Sequence, residues 1–192
     1  KFYRAAQSEG IKPIIGVDVR LSDGLDTTSR LVLLCQNDTG YRNLTRLISK
    51  SYTKGQLKGI PYLQRDWLKG ATDGLIALSG GREGDIGQAL LAGHPDLVRQ
   101  RLASWLALFP QRFYLEVQRT GRTNEEEYLH AAVELALATD TPVVATNDVC
   151  FLQPEDFQAH EVRVCIHEGH TLTDSRRPRH YSPQQYLRSP QE

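Results

Sequence analysis

Three carboxylates stand out in this chain because each follows or ends a short apolar run: Asp18, Glu116 and Asp148. If those runs are strands of a parallel α/β fold, their carboxyl ends share one face, the usual place for chemistry. Three converging acids suit a divalent cation and phosphate-ester chemistry. The competing structural reading is that acids at strand ends cap helices or pair with arginine. Ser79-Gly80-Gly81-Arg82 ahead of a helix could hold a phosphate on backbone N–H groups, but lacks both the Walker lysine and the dinucleotide glycine spacing. His160, Cys165, His167 and His170 bring zinc to mind. Their spacing fits no finger or His-Glu-x-x-His pattern, and on a helix Cys165 and His167 point about 200° apart. Arg176, Arg177, Arg179 and His180 form the one dense basic run, which reads as a solvated or interface segment. No serine sits in a nucleophile elbow, and no cysteine has a histidine at a recognisable spacing.

The elements that must position these residues read as follows. A helix over Lys1 to Glu9 ends at Gly10; Ile11 to Leu21 and Leu31 to Cys35 read as strands joined by a polar loop rich in Asp, Gly and Thr. Tyr41, Leu44, Leu47, Ile48 and Tyr52 fall at helical spacing behind an Asn37-Asp38-Thr39 cap cluster. Gly55 to Gly74 reads as a surface excursion, and Leu75 to Leu78 as a buried strand. Helices follow over Ile86 to Ala92 and Pro95 to Phe109, the second with proline in its first position. Phe113 to Val117 is a strand, Thr123 with Glu126 reads as a capping box for a helix to about Ala138, and Pro142 to Thr146 is a second buried strand. Pro154 opens the last helix. Five strands alternating with amphipathic helices predict a parallel sheet covered by helices, either open and doubly wound or part of a barrel.

The bulk numbers fit one soluble domain. At 192 residues, 40% hydrophobic and 24% charged, the chain can bury a core. Lys plus Arg equals Asp plus Glu at 23 each, so no global field draws it to DNA or a membrane. Cys35, Cys150 and Cys165 form neither a CxxC pair nor an even set, which places the chain in a reducing, cytoplasmic setting. It opens on Lys1, contains no Met and closes at Glu192 without a cap, so it is expected to be a piece of something longer.

Several segments, in order along the whole chain, resemble one family: Lys1-Phe2-Tyr3, Ile11-Lys12-Pro13-Ile14-Ile15-Gly16, Thr39-Gly40-Tyr41-Arg42-Asn43-Leu44, Gly74-Leu75-Ile76-Ala77-Leu78-Ser79-Gly80-Gly81, Val144-Ala145-Thr146-Asn147-Asp148-Val149 and Tyr181-Ser182-Pro183-Gln184-Gln185-Tyr186-Leu187. They look like the polymerase-and-histidinol-phosphatase (PHP) domain of bacterial DNA polymerase III alpha subunits. The resemblance implies an α/β fold, part of a distorted seven-stranded, TIM-like barrel lacking its first two strands, over residues 1–170, with 171–192 as a linker into a polymerase region. It implies a parent DNA-directed DNA polymerase that uses magnesium beyond Glu192, so that this piece alone catalyses nothing. It implies as partners a proofreading exonuclease subunit, other replicase subunits and DNA, with no membrane. Some members of the family bind up to three metals and hydrolyse phosphate esters. Against that pattern this chain departs: a ligand usually Glu is Asp18, a usual His is Arg30, a usual Cys or His is Gly81, another usual His is Cys150, and Asp148 alone is unchanged. A guanidinium cannot shed its proton. The resemblance therefore implies no resident metal, with Arg30 paired to Asp18 or Asp148. The alternative is a metal-dependent phosphoesterase, a 3'-5' proofreader or pyrophosphatase, at the same mouth.

Overall fold

The computed structural model of the chain describes residues 1–22, 28–189 and 191–192. The polar loop expected between the first two strands lies largely outside the described residues. Eight strands are present among those described: β1 (Gly16–Ser22), β2 (Thr28–Cys35), β3 (Gln56–Leu57), β4 (Ile60–Pro61), β5 (Leu63–Gln64), β6 (Leu75–Leu78), β7 (Phe113–Val117) and β8 (Val143–Ala145). Six of them form one sheet in the order β5-β1-β2-β6-β7-β8, while β3 and β4 pair as a separate ribbon.

The sheet is mixed, which corrects the expectation of a wholly parallel one. β6, β7 and β8 are parallel, and β5 is parallel to β1, but β2 is antiparallel to both β1 and β6. The stretch between β1 and β2 is too short for a crossover, so the chain must double back as a hairpin. One consequence governs the site. Because β2 runs against β6, with Val32 opposite Leu78, the start of β2 lies on the same side as the carboxyl end of β6.

Helices α1 (Phe2–Ser8), α2 (Asp38–Lys54), α3 (Asp85–Leu91), α4 (Pro95–Leu108), α5 (Glu125–Thr139) and α6 (Phe157–Glu168) complete the architecture. α2 begins where the Asn37 side chain accepts from the Gly40 amide at 3.1 Å, as the cap cluster predicts. Glycine is required at position 40, since a Cβ there would stand 1.8 Å from the Gly74 carbonyl oxygen. Leu44 and Leu47 of α2, Leu31 and Leu33 of β2, Leu75 and Ala77 of β6, and Phe113 and Leu115 of β7 are buried in one cluster. Ile86 of α3 and Val98, Leu102 and Trp105 of α4 extend it, with the Trp105 ring stacked on Phe113 at 5.8 Å and 2°. Each such aliphatic or aromatic side chain contributes about 1.5–3 kcal/mol by leaving water. By contrast, α1 buries nothing, and Phe2, Ile11 and Ile14 are exposed.

Three local expectations fail for physical reasons. Residues 55–74 are more than a surface excursion: β5 joins the sheet edge, and Leu63 and Leu68 reach the core despite the surrounding glycines and prolines. α5 has no Thr123–Glu126 capping box. Its N-cap is Asn124 in the left-handed region, φ 61°, while Glu126 turns out to pair with Arg119 at 2.8 Å. Glu125 instead takes the loop amides, accepting from Gly121 at 2.7 Å and from the Thr120 hydroxyl at 2.8 Å. Finally, β8 is not buried: Val143 and Ala145 are exposed at the sheet edge.

Candidate functional site

Apolar side chains of β1, β2 and β6 pack together, and two glycines then let the start of β2 lie close against the end of β6. Gly80 and Gly81, at the end of β6, both take left-handed backbone with φ 78° and 60°. A Cβ on Gly80 would lie 2.3 Å from the Arg30 carbonyl oxygen, so only glycine allows β2 to lie this close. Arg30 is thereby carried to the mouth from the start of its strand. Asp18 comes from β1, two pairs from Arg20, which is opposite Arg30. Asp148 follows β8 in a left-handed conformation, φ 31°, which aspartate tolerates better than most residues.

There Arg30 bridges both acids, with Nη2 2.6 Å from Asp18 and 3.2 Å from Asp148. Arg122 meets Asp148 from the other side, Nη1 to Oδ2 at 3.1 Å. The Arg122 guanidinium also donates to Gln118 Oε1 at 2.7 Å, and Gln118 Nε2 donates to Thr146 Oγ1 at 3.0 Å and Glu116 Oε1 at 3.3 Å. The result is one continuous relay, Asp18–Arg30–Asp148–Arg122–Gln118–Glu116. Of the three expected carboxylates, Asp18 and Asp148 share an arginine. Glu116 lies deeper, buried, joined to them only through Gln118 and Arg122, and its Oε2 is buried with no partner among the described residues.

Electrostatics follow the geometry. Burial opposes the charge on Arg30, but the fields of Asp18 and Asp148 outweigh it and push its pKa up. The Asp18 carboxyl is also pushed up, since partial desolvation, with help from Asp148 and Glu83, exceeds the opposing pull of Arg30. Desolvation likewise raises the Cys150 thiol, helped by Asp148, so it stays protonated at neutral pH and donates to the Asp148 carbonyl at 3.4 Å. Behind the mouth, Tyr128 donates to the Glu116 carbonyl at 2.7 Å, and burial pushes its phenol up to about 12.

The relay borders a cavity of 1020 Å³ whose lining includes Asp18, Arg20, Arg30, Arg82, Arg122 and Asp148. The C-terminal stretch closes one side of it. Gln185 is fully buried and donates to the Asp148 side chain at 3.2 Å, Ser182 donates to the Thr120 carbonyl, and Asn147 donates to the Tyr186 carbonyl at 2.7 Å.

The other sequence candidates scatter. His160 is buried against Tyr181 and Phe151, Cys165 is buried elsewhere on α6, and His170 faces Asp174 at 3.5 Å. Among the described residues, no three His, Cys, Asp or Glu side chains gather as metal ligands do. The basic run divides: Arg177 pairs with Glu161 at 2.5 Å and Arg176 with Asp174 at 3.3 Å, while Arg179 and His180 line the cavity. Ser79-Gly80-Gly81-Arg82 is turned to internal use, with Ser79 Oγ accepting from the Glu116 amide at 2.9 Å and Arg82 donating to the Thr123 carbonyl at 3.2 Å. Arg122 and Gln185 were not singled out from the sequence. An arginine directly after a glycine beyond a strand end was the available signal for the first; nothing local marks the second.

A family model described as the PHP domain matches residues 1–120. The chain is 56% identical over 194 residues to the DNA polymerase III subunit alpha of Pseudomonas aeruginosa, covering 100% of this chain and 16% of that protein. It is 54% identical over 194 residues to that of Escherichia coli K12, covering 100% and 17%. For the Vibrio cholerae subunit the figures are 49% over 191 residues, 98% and 16%. The chain thus spans about a sixth of the length of the curated relatives it matches.

Proposed function

The chain belongs to the PHP domain family, and from that premise we propose that it is a non-catalytic PHP scaffold within a replicative DNA polymerase alpha subunit. On this reading the polypeptide that carries it adds deoxynucleotides to DNA in the cytoplasm, with magnesium held outside this region. The open sheet then belongs to the distorted seven-stranded barrel of the family, and the domain braces the polymerase core and docks the proofreading exonuclease subunit. The similarity to proteins named DNA polymerase III subunit alpha supports the first part.

The observation that carries the scaffold reading is Arg30 seated between Asp18 and Asp148. The residues at the mouth do not fit a resident divalent cation. A permanent positive charge already occupies the space between the two acids, Gly81 offers no donor atom, and the Cys150 thiol keeps its proton. A unit charge and a divalent ion about 4 Å apart repel by roughly 8 kcal/mol at an effective dielectric of 20. The relay does for the fold what a metal would do, holding β1, β2 and the turn after β8 together.

The competing reading is a metal-dependent phosphoesterase, which the partnerless Glu116 Oε2 and the size of the cavity favour. One pair of measurements separates them. Metal analysis after equilibration with excess manganese should find no stoichiometric ion, and calorimetric titration with the exonuclease subunit should give saturable binding. A full equivalent of metal that Asp148→Asn abolishes would establish the phosphoesterase. Absence of exonuclease binding would reduce the role to stabilisation alone.

A further inference from the structure

We propose that His160 is an acid-sensitive latch on the strap of residues 181–187: the neutral ring holds the strap against the mouth, and the protonated ring lets it go. The ring stands on the inner side of α6, 6% exposed, packed on Phe151 at 5.4 Å and meeting the Tyr181 ring edge-on at 4.5 Å and 80°. Those two neighbours attach the two ends of the strap. Tyr181 begins it, and Phe151 carries its far end, since the Phe151 carbonyl accepts from the Leu187 amide at 3.0 Å beside the Phe151–Tyr186 bridge. Between them, the Gln185 carbonyl accepts from the Cys150 amide at 2.8 Å, and its side chain donates to Asp148.

Hydrogen bonding decides where the ring carries its proton. Arg163 Nη2 lies 3.0 Å from Nδ1, and a guanidinium only donates, so Nδ1 accepts and the proton sits on Nε2. Nε2 is buried with no partner among the described residues. A second proton must go to Nδ1, where it breaks the bond from Arg163 and sets two like charges face to face. The other groups around the ring give little relief. Glu161 pulls the other way, but its carboxylate is already bound to Arg177 at 2.5 Å. Burial pushes the Tyr181 phenol up, so it is uncharged at neutral and acid pH. Burial first, and Arg163 second, accordingly hold the ring below the ordinary histidine value of 6.5. A lifted strap lets water reach the ring, so the opened form takes the proton more readily than the closed one. The closed strap therefore has its full stability above pH 6.5 and loses it as the pH falls through the lowered, closed-state value. The latch goes beyond the scaffold reading and does not depend on it.

The test is amide hydrogen exchange of the chain, read by mass spectrometry from about pH 7.5 down to about pH 5.5 with intrinsic rates divided out, a window above the ordinary carboxylate range. One proton taken up on opening predicts that protection of residues 181–187 falls by about 10-fold across it. Protection of α4, walled in around Trp105, should stay level. His160→Gln can still accept from Arg163 but takes up no proton, and should abolish the pH dependence. His180→Gln, in the cavity lining beside the strap, should keep it. Should His160→Gln fail to fold, the His160 ring resonance of the unaltered chain carries the test: its midpoint must lie below 6.5 and coincide with the midpoint of strap exchange. An undiminished pH dependence in His160→Gln, an equal rise of exchange in α4, or a ring midpoint at or above 6.5 would each overturn the proposal.

Discussion

Asp85 and Asp148 both hold arginines, and they do so in opposite surroundings. Asp85, at the start of α3, is buried, accepts from Trp105 Nε1 at 2.9 Å and the Ile86 amide at 2.8 Å, and pairs with Arg65, whose guanidinium lies 4.2 Å over the Trp105 ring. Asp148 is partly open, lies beside a cavity, and shares its two arginines with other acids. The first carboxylate is closed in by the hydrophobic cluster and can only be structural. The second is kept wet enough for ligands to reach it, yet its oxygens are already spoken for. The difference shows that occupancy by an arginine does not by itself distinguish a strut from a former ligand site; the void beside it does.

Asp85→Asn tests the closed end most severely. It removes the buried charge that accepts from Trp105 and the Ile86 amide and pairs with Arg65, and should cost about 3–5 kcal/mol in denaturant unfolding. A loss below 1 kcal/mol would mean that water reaches this pair after all. Tyr128, between core and mouth, gives the next largest effect. Its folded pKa lies above the unfolded value of 10.0, so the protein is stabilised below pH 10 and loses that stability as the pH rises towards about 12. The loss amounts to about 3 kcal/mol, and Tyr128→Phe should show a flatter profile over that window in alkaline unfolding. Asp148→Asn removes one charge facing two arginines at the open end, and should cost about 1–2 kcal/mol, less than the Asp85 change. Equal costs at the two positions would erase the contrast.

The smallest effect carries the sharpest sign. Asp18 has a raised folded pKa, so the folded chain holds this proton more tightly than the unfolded one. The stability this contributes is present at acid pH, below the unfolded value of 3.8, and is lost as the pH rises through the folded value. Asp18→Asn should therefore gain stability relative to the parent as pH rises from 3.5 to 6. Because half of this side chain is exposed, the gain should stay below about 1 kcal/mol. A relative loss over that range would show that the Arg30 contact dominates.

Much of the frame was legible in the residues. The apolar runs at β2, β6 and β7, the spacing of α2 and proline at the head of α4 marked elements that the fold contains at nearly the expected positions. Asp18 and Asp148 were readable from the apolar runs they end or follow, and Arg30, with its pairing to one or the other aspartate, through the family resemblance; that Arg30 holds both at once required the fold. What escaped was long-range. Strand direction depends on how short a connection is, and apolar periodicity carries no information about it. Leu63 and Leu68 are buried because an edge strand docks there, although their neighbours read as loop. Thr123 and Glu126 satisfy a local pattern, but Arg119 competes for the glutamate and wins. Gln185 is the extreme case: a polar residue in a stretch without regular structure becomes fully buried through a partner 37 positions away.

The left-handed corner at Asp148 ties together segments that are otherwise remote in the chain: Arg30 of the early hairpin, Arg122 of the loop before α5, and Gln185 near the end. A single residue gripped from three directions makes fraying of either extremity visible to the other. Amide exchange in the early hairpin and in the terminal stretch should therefore slow and quicken in step, as one cooperative unit, even though more than a hundred residues separate them along the backbone.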